Sequence, residues 1–410
     1  MHVDTMRAVD YWVGIPLCFL GSMVKKITRF LPEQKSPKPS NILLVELSEM
    51  GSTILVDPAM QKLKRDLNAN LHFVIFKKNK PSLDLLQTVS EENIFTIRED
   101  GLSSLFIDTL KFFFWTRSKR IDTVIDLELF SRFTALLTGF SGASRRVGFH
   151  AFYNEGLYRG SMLTHEVAYN PHIHIAKNFI SLVNALLVNK KEIPYSKTVI
   201  GDDEIILNKV TVSPEAKESM RSKIASYCPI YNPLSHRIIL FNANASDLMP
   251  LRRWPKDNYI RLAQHILDNH SDVIILLTGA PAEFEGLQEI PDTLQNNRCV
   301  NFSGKTSFAE LVALYEVSEF MLSNDSGPGH FSAVTSMPSF VFFGPETPSL
   351  YGSLGITTPI YAGLSCSPCV SATNHRKTSC NDNVCMQILT VDFVYSLLQP
   401  SLNLTRFSKV

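Results

Sequence analysis

The sequence predicts an α/β protein made of two doubly wound parallel-sheet domains, and three observations predict it. The chain has 410 residues, too many for one ordinary hydrophobic core and suited to two. Short, nearly continuous apolar runs recur along it, of the kind found in strands covered on both faces, with helix-like segments between them. Where such a run ends, polar, glycine-bearing or basic residues follow, the pattern of a sheet whose carboxyl edge binds ligands.

The apolar and charged fractions are those of a soluble globular protein. A net charge of +1 gives no electrostatic case for nucleic acid, and no nucleic-acid-binding motif is present. Seven cysteines in so long a chain do not make a disulfide scaffold.

The N-terminus differs from the rest. Residues 11–24 (YWVGIPLCFLGSMV) are uncharged and are followed by Lys25, Lys26 and Arg29. As a helix this run covers roughly 21 Å, short of a bilayer core of about 30 Å. Asp4 and Asp10 precede it, where a signal peptide carries positive charge. An aromatic-rich apolar patch backed by lysines fits a segment lying in the membrane interface; a helix packed on the protein's own surface is the alternative. Pro32–Ser40 reads as a polar, proline-rich linker.

The first domain opens with the apolar run Asn41–Leu47, then the turn Ser48–Ser52 and a helical pattern from Thr53 to Leu67. Further strands are expected at Leu71–Phe76, Ile94–Ile97, Asp122–Leu127 and Arg145–Phe149. Asn170–Leu187 reads as a long helix, whose His172 and His174 face differently and are poor co-ligands. Residues 190–235 carry no clear pattern until a helix over Pro214–Ser226, and the domain boundary is placed there.

The second domain starts with the strand Arg237–Phe241 and its polar end Asn242–Ser246. Asp257 is read as the cap of a helix over Asn258–Asn269. Strands follow at Val273–Leu277 and Cys299–Phe302, the latter leading into Gly304-Lys305-Thr306. That triplet is not a Walker loop, because Cys299 occupies the place of the opening glycine, but Lys305 is kept as a candidate phosphate contact. The stretch Phe320–Pro345 then gives a strand (Phe320–Ser323), a glycine-bearing turn (Asn324–Gly329), a small-residue helix (His330–Ser336) and a strand (Ser339–Phe343). Such a turn presents backbone N–H groups to an anion, with Asp325, Ser326 and His330 within side-chain reach; ordinary helix capping is the plainer reading.

Four blocks together resemble the ADP-heptose:lipopolysaccharide heptosyltransferase family, glycosyltransferase family 9. They are LLVELSEMGSTILVDPAM at 43–60, RRWPKDNYIRLA at 252–263, TGAPAEFE at 278–285 and SNDSGPGHFSAVTSMPSFVFFGPETP at 323–348. The resemblance implies a GT-B architecture, two Rossmann-like domains facing across a cleft, with a C-terminal helix near Val391–Leu398 returning to the first domain. The expected division is 1–40 interfacial segment and linker, 41–200 acceptor-side domain, 236–390 donor-binding domain, and 391–410 C-terminal helix and tail.

The resemblance further implies an inverting transfer of a heptose from an ADP-linked donor to a lipopolysaccharide-type glycolipid, without cofactor or metal. It places the chain in the cytoplasm, peripheral on the inner membrane face. Asp325, Ser326, Gly327 and His330 resemble the turn that holds the donor diphosphate. Arg253 resembles a basic residue contacting the phosphates, and Glu283 the acid that reads the nucleoside ribose. A fixed cation and main-chain amides suit the charge that builds on a departing diphosphate. One position departs from the family, which has aspartate as presumed general base where this chain has Ser52. A serine cannot accept a proton at neutral pH as a carboxylate does. Glu49 is the preferred substitute, Asp57 another, and loss of the base the third possibility. A catalytically impaired nucleotide-sugar-binding protein is therefore the alternative reading, and a sugar epimerase a weaker one.

Cys366, Cys369, Cys380 and Cys385 form C-x2-C-x10-C-x4-C. They are read as a structural zinc site, as reduced thiols or as a local disulfide. Cys18, Cys228 and Cys299 read as packing residues.

Overall fold

In a computed structural model the chain is described over residues 3–28, 38–47, 49–129, 131–153, 157–188, 190–246, 249–371 and 376–403. Most of the expected linker and the end of the C-terminal tail lie outside these residues. Two compact units form, the first from the described parts of Met1–Ile206 and Ser371–Lys377, the second from those of Leu207–Val370 and Thr378–Val410.

The first unit contains β1 (Asn41–Val45), β2 (Asn70–Phe76), β3 (Ile94–Ile97), β4 (Thr123–Asp126), β5 (Arg145–Phe149) and β6 (His165–Val167). They pair in parallel in the order β3-β2-β1-β4-β5-β6, the Rossmann order, which reverses between β1 and β4. Its helices are α1 (Val3–Trp12), α2 (Gly14–Thr28), α3 (Met50–Leu55), α4 (Asp57–Leu67), α5 (Lys80–Leu86), α6 (Leu102–Ser118), α7 (Arg132–Phe140) and α8 (Ile175–Leu187). Right-handed crossovers put α3, α4 and α5 on one face of the sheet and α6 and α7 on the other.

The single helix expected over Thr53–Leu67 is two, broken at Val56, because Pro58 in the first turn of α4 starts a new helix. The helix expected from Asn170 begins at Ile175. His174 caps it by accepting the Ala176 N–H (3.2 Å), so His172 and His174 both precede the helix. The N-terminal run forms α1 and α2, and both belong to this unit. Asp10 accepts the N–H groups of Arg132 (2.8 Å) and Phe133 (3.0 Å) at the start of α7, while Cys18 packs with Ala135 and Met162.

The second unit contains β7 (Arg237–Asn242), β8 (Val273–Leu277), β9 (Cys299–Asn301), β10 (Phe320–Asn324), β11 (Ser339–Phe343) and β12 (Thr357–Tyr361). The order β12-β11-β10-β7-β8-β9 is again the Rossmann order, reversing between β7 and β10. Its helices are α9 (Pro214–Tyr227), α10 (Lys256–Asn269), α11 (Phe284–Leu294), α12 (Leu311–Glu316), α13 (Gly327–Phe331), α14 (Pro348–Tyr351), α15 (Val384–Gln387) and α16 (Val391–Leu402).

Trp254 anchors the core. It is buried, its ring stacks on Phe342 with centroids 4.6 Å apart, and its indole N–H donates to the Leu389 carbonyl (2.8 Å). The terminal helix, expected near Val391–Leu398, belongs to the second unit. Val394, Leu398 and Leu402 of α16 lie in the same core as Trp254, and Tyr395 stacks on His265 of α10 at 4.0 Å. Apolar area on one face of α16 is what holds it there.

Candidate active site

The end of β10 lies at the reversal point of the second sheet, and Asn324 fixes it there. Its amide oxygen accepts the Trp254 N–H (2.9 Å) and its amide nitrogen donates to the Ala243 carbonyl (2.9 Å), joining the loops after β7 and β10. The next residue, Asp325, is buried and lies in a cluster of three charged side chains. Arg252 approaches Asp325 at 3.5 Å and Glu346 at 3.1 Å. Burial raises the pKa of Asp325 against the pull of Arg252. Burial likewise pushes Glu346 up to about 8, with Arg252 opposing and Asp325 adding to the rise. Burial works against the Arg252 charge too, yet the two carboxyl groups hold its pKa above the ordinary value. One buried cation therefore faces two carboxyl groups, of which Glu346 keeps its proton at neutral pH.

Ser326 shares the turn, its hydroxyl donating to the Asn324 carbonyl (3.1 Å). Gly327 begins α13, where a Cβ would meet the buried Phe331 ring at 2.9 Å and force it to shift. His330 stands on the same short helix. This helix has five residues and a following 3₁₀ turn in place of the longer helix expected, because Thr335 is already extended.

The other candidates lie farther out. Arg253, expected on the donor phosphates, donates from Nε (3.0 Å) and Nη2 (2.6 Å) to the carbonyl of Ala245, in the loop after β7 next to β10. Its neighbour Arg252, which the sequence reading passed over, contacts Asp325; burial beside a partner acid is the signal, and it is tertiary. Glu283 follows β8 and caps its own turn, accepting the Ala280 N–H at 2.6 Å. Lys305 follows the edge strand β9, three strands from β10 and so roughly 14 Å away in the sheet. Its ammonium lies over the rings of Tyr227 (5.1 Å) and Phe284 (5.0 Å).

In the first unit the reversal point lies at the ends of β1 and β4. Buried Glu46, Asp126 and Glu128 gather there. The Leu47 N–H donates to Glu128 (3.1 Å), and Arg159 pairs with Asp126 while donating to the Glu128 carbonyl (2.6 Å). Burial raises Asp126 to about 6, Arg159 opposing and Glu128 reinforcing.

Glu49 and Ser52 adjoin this edge, with the Ser52 hydroxyl 3.4 Å from the Glu49 carboxylate. The other oxygen of Glu49 pairs with Arg376, which belongs to the same unit. Burial pulls the Arg376 pKa down to about 10, Glu46 opposing, which leaves it charged at neutral pH. No local pattern marks Arg376, which is 327 residues from Glu49. Asp57 points elsewhere. It is buried, accepts the Thr88 hydroxyl at 2.5 Å, and burial raises its pKa.

None of the seven cysteines is joined in a disulfide. Cys366 and Cys380 are exposed and Cys385 is half-buried; burial first, then the neighbouring thiols, raise Cys385 to about 11. Among the described residues no three His, Cys, Asp or Glu side chains stand together as a metal site. Cys18, Cys228 and Cys299 are buried, as packing residues are.

Two six-stranded parallel sheets, each in Rossmann order, give the chain an α/β fold of the GT-B class. The model of "Glycosyltransferase family 9 (heptosyltransferase)" matches residues 116–379, and the chain belongs to that family. It is 29% identical over 182 residues to lipooligosaccharide heptosyltransferase 2 of Haemophilus influenzae, covering 41% of this chain and 51% of that protein. The chain thus spans about half the length of that relative. With lipopolysaccharide heptosyltransferase 1 of Campylobacter coli it shares 22% identity over 332 residues, 75% of this chain and 84% of the relative. Among solved structures, E. coli ADP-heptose lps heptosyltransferase II superposes with a TM-score of 0.67 at 19% identity, covering 88% of this chain and 98% of that one. E. coli heptosyltransferase WaaC with ADP gives 0.60 at 15%, covering 88% and 99%.

Proposed function

We propose that this chain is an inverting glycosyltransferase that moves a heptose from an ADP-linked donor to a lipopolysaccharide-type glycolipid. The observation that carries the reading is the buried Arg252–Asp325–Glu346 cluster at the reversal point of the second sheet, in a chain of this family. Arg252 holds the Asp325 turn in place, and the turn's amides with Arg253 receive the diphosphate. The guanidinium then stabilises the charge that builds on the leaving group, and no metal is needed for that step. E. coli heptosyltransferase WaaC, solved with ADP and with ADP-2-deoxy-2-fluoro heptose, supports the choice of donor. Glu283, Ser326, Gly327 and His330 bind the remainder of the donor, and Glu49 takes the acceptor proton. The apolar face at residues 11–24 holds the enzyme at the surface of the membrane that carries the acceptor.

A second reading has its own observation. Glu49 is tied to Arg376 and Ser52 replaces the family's aspartate, so the chain binds the nucleotide sugar without turning it over. Thermal shift against ADP, UDP and GDP, followed by turnover with ADP-heptose, separates these readings. Ligand at a hundred times its Kd adds about 2.7 kcal/mol of stability. A shift with ADP that Arg253→Ala abolishes supports the donor site, and a preference for UDP or GDP overturns it. Binding without turnover selects the second reading.

A further inference from the structure

The first unit carries two apolar helix faces that stand exposed among the described residues. On α6, Leu102, Phe106, Ile107, Leu110 and Phe114 are exposed, Phe106 by 64% and Phe114 by 76%. At 100° per residue these five fall within an arc of about 140°, while Asp108, Phe112 and Thr116 face the unit's interior. The second face is on the N-terminal helices, where Trp12 is 75% and Ile27 71% exposed, with Phe19 and Leu20 also out, while Cys18, Gly21 and Ser22 face inward.

Both faces are built against α7. The Arg117 guanidinium of α6 donates to the Phe140 carbonyl (3.0 Å), and Gly21 of α2 lies against the ring of that same phenylalanine. The α6 and α7 crossovers lie on one side of the sheet. A helix normally shows water a polar face; here two neighbouring helices show it an apolar one, beyond the scattered exposed apolar residues normal on a protein surface.

The charges around these faces select the occupant. The exposed charged side chains described on α2 and α6 are basic: Lys26, Lys111 and Arg117. The acids nearby are taken up, Asp108 by Arg98 (2.9 Å) and Asp10 by Arg132 (3.2 Å), and exposed Asp100 stands two residues ahead of α6. Two copies meeting on these faces would set like charges together, whereas an anionic lipid surface answers them. No helix among the described residues is long and apolar enough to cross a membrane.

We infer that α6 is a second membrane-inserting face, which with α1 and α2 seats this side of the first unit on an anionic phospholipid bilayer. The inference rests on the membrane contact proposed above for residues 11–24 and extends it to a sequence-remote helix that fixes the unit's orientation. Two anchors hold better than one because the second engages at the effective concentration set by the first.

The test uses the full chain and vesicles of phosphatidylglycerol and phosphatidylethanolamine, with phosphatidylcholine vesicles as control. The double variant Phe106→Ser/Phe114→Ser is expected to lower partitioning onto anionic vesicles at least tenfold, with thermal midpoint and ADP binding unchanged. In Phe114→Trp, bromine-labelled lipid should quench the new fluorophore as it quenches Trp12. Unchanged partitioning of the double variant, or an unquenched Trp at 114 beside a quenched Trp12, overturns the inference. So does a concentration-dependent dimer that the double variant dissolves, which assigns the face to a second copy. Because ADP binding is read separately, failure of the donor site would not be mistaken for failure of the membrane face.

Discussion

Replacing Glu346 with glutamine tests the charged cluster at the heart of the second unit. Glu346 is 2% exposed, its oxygen lies 3.1 Å from Arg252, and burial holds its pKa near 8 against an ordinary 4.5. The folded state thus binds this proton more tightly than the unfolded chain does. Its stabilising contribution is complete below about pH 4.5 and is lost as pH rises through 8. The slope is about 1.4 kcal/mol per pH unit inside that window, at most about 4 kcal/mol between pH 5 and 8. Asp325, also raised by burial, adds in the same direction. Glutamine keeps the accepting oxygen and the shape but cannot ionise. Urea unfolding followed by Trp254 fluorescence at pH 5, 6, 7 and 8 should show near-equal stability at pH 5. The variant should become the more stable by pH 8, and groups that titrate alike in both proteins cancel in the difference. Parallel curves, or a wild type that gains on the variant as pH rises, would refute the burial argument.

Other outcomes follow from the same geometry. Asn324→Ala leaves the Trp254 N–H and the Ala243 carbonyl buried without their partner. At about 1–3 kcal/mol for each such group, calorimetry should show a fall of at least about 4 °C in the melting midpoint. Glu49→Gln should lower kcat by about 10²–10⁴ with ADP binding unchanged, since general-base catalysis contributes on that scale. An unaltered kcat with ADP-heptose would remove Glu49 from the chemistry.

The two-sheet α/β fold was legible in the residues. Runs such as Asn41–Leu47 and Val273–Leu277 are apolar on both faces and alternate with helical segments, as strands of a parallel sheet covered on both sides do. The turn after β10 was legible for a local reason as well, since the polar, glycine-bearing run Asn324–Gly329 directly follows an apolar one. Shorter or half-buried elements escaped. β6 has three residues and β12 has exposed positions at Thr358 and Pro359, so neither shows a continuous apolar run.

The order of the strands, the choice of Arg252 over Arg253 as partner of Asp325, and the pairing of Arg376 with Glu49 came from the tertiary structure alone. Adjacent arginines on one loop look alike as letters; which of them meets a buried acid depends on where β10 and β11 place Asp325 and Glu346, more than seventy residues on. Hydrophobic pattern is a local property that a sequence states outright. The company a charge keeps is set by distant segments meeting in space, and that was decided only when the chain folded.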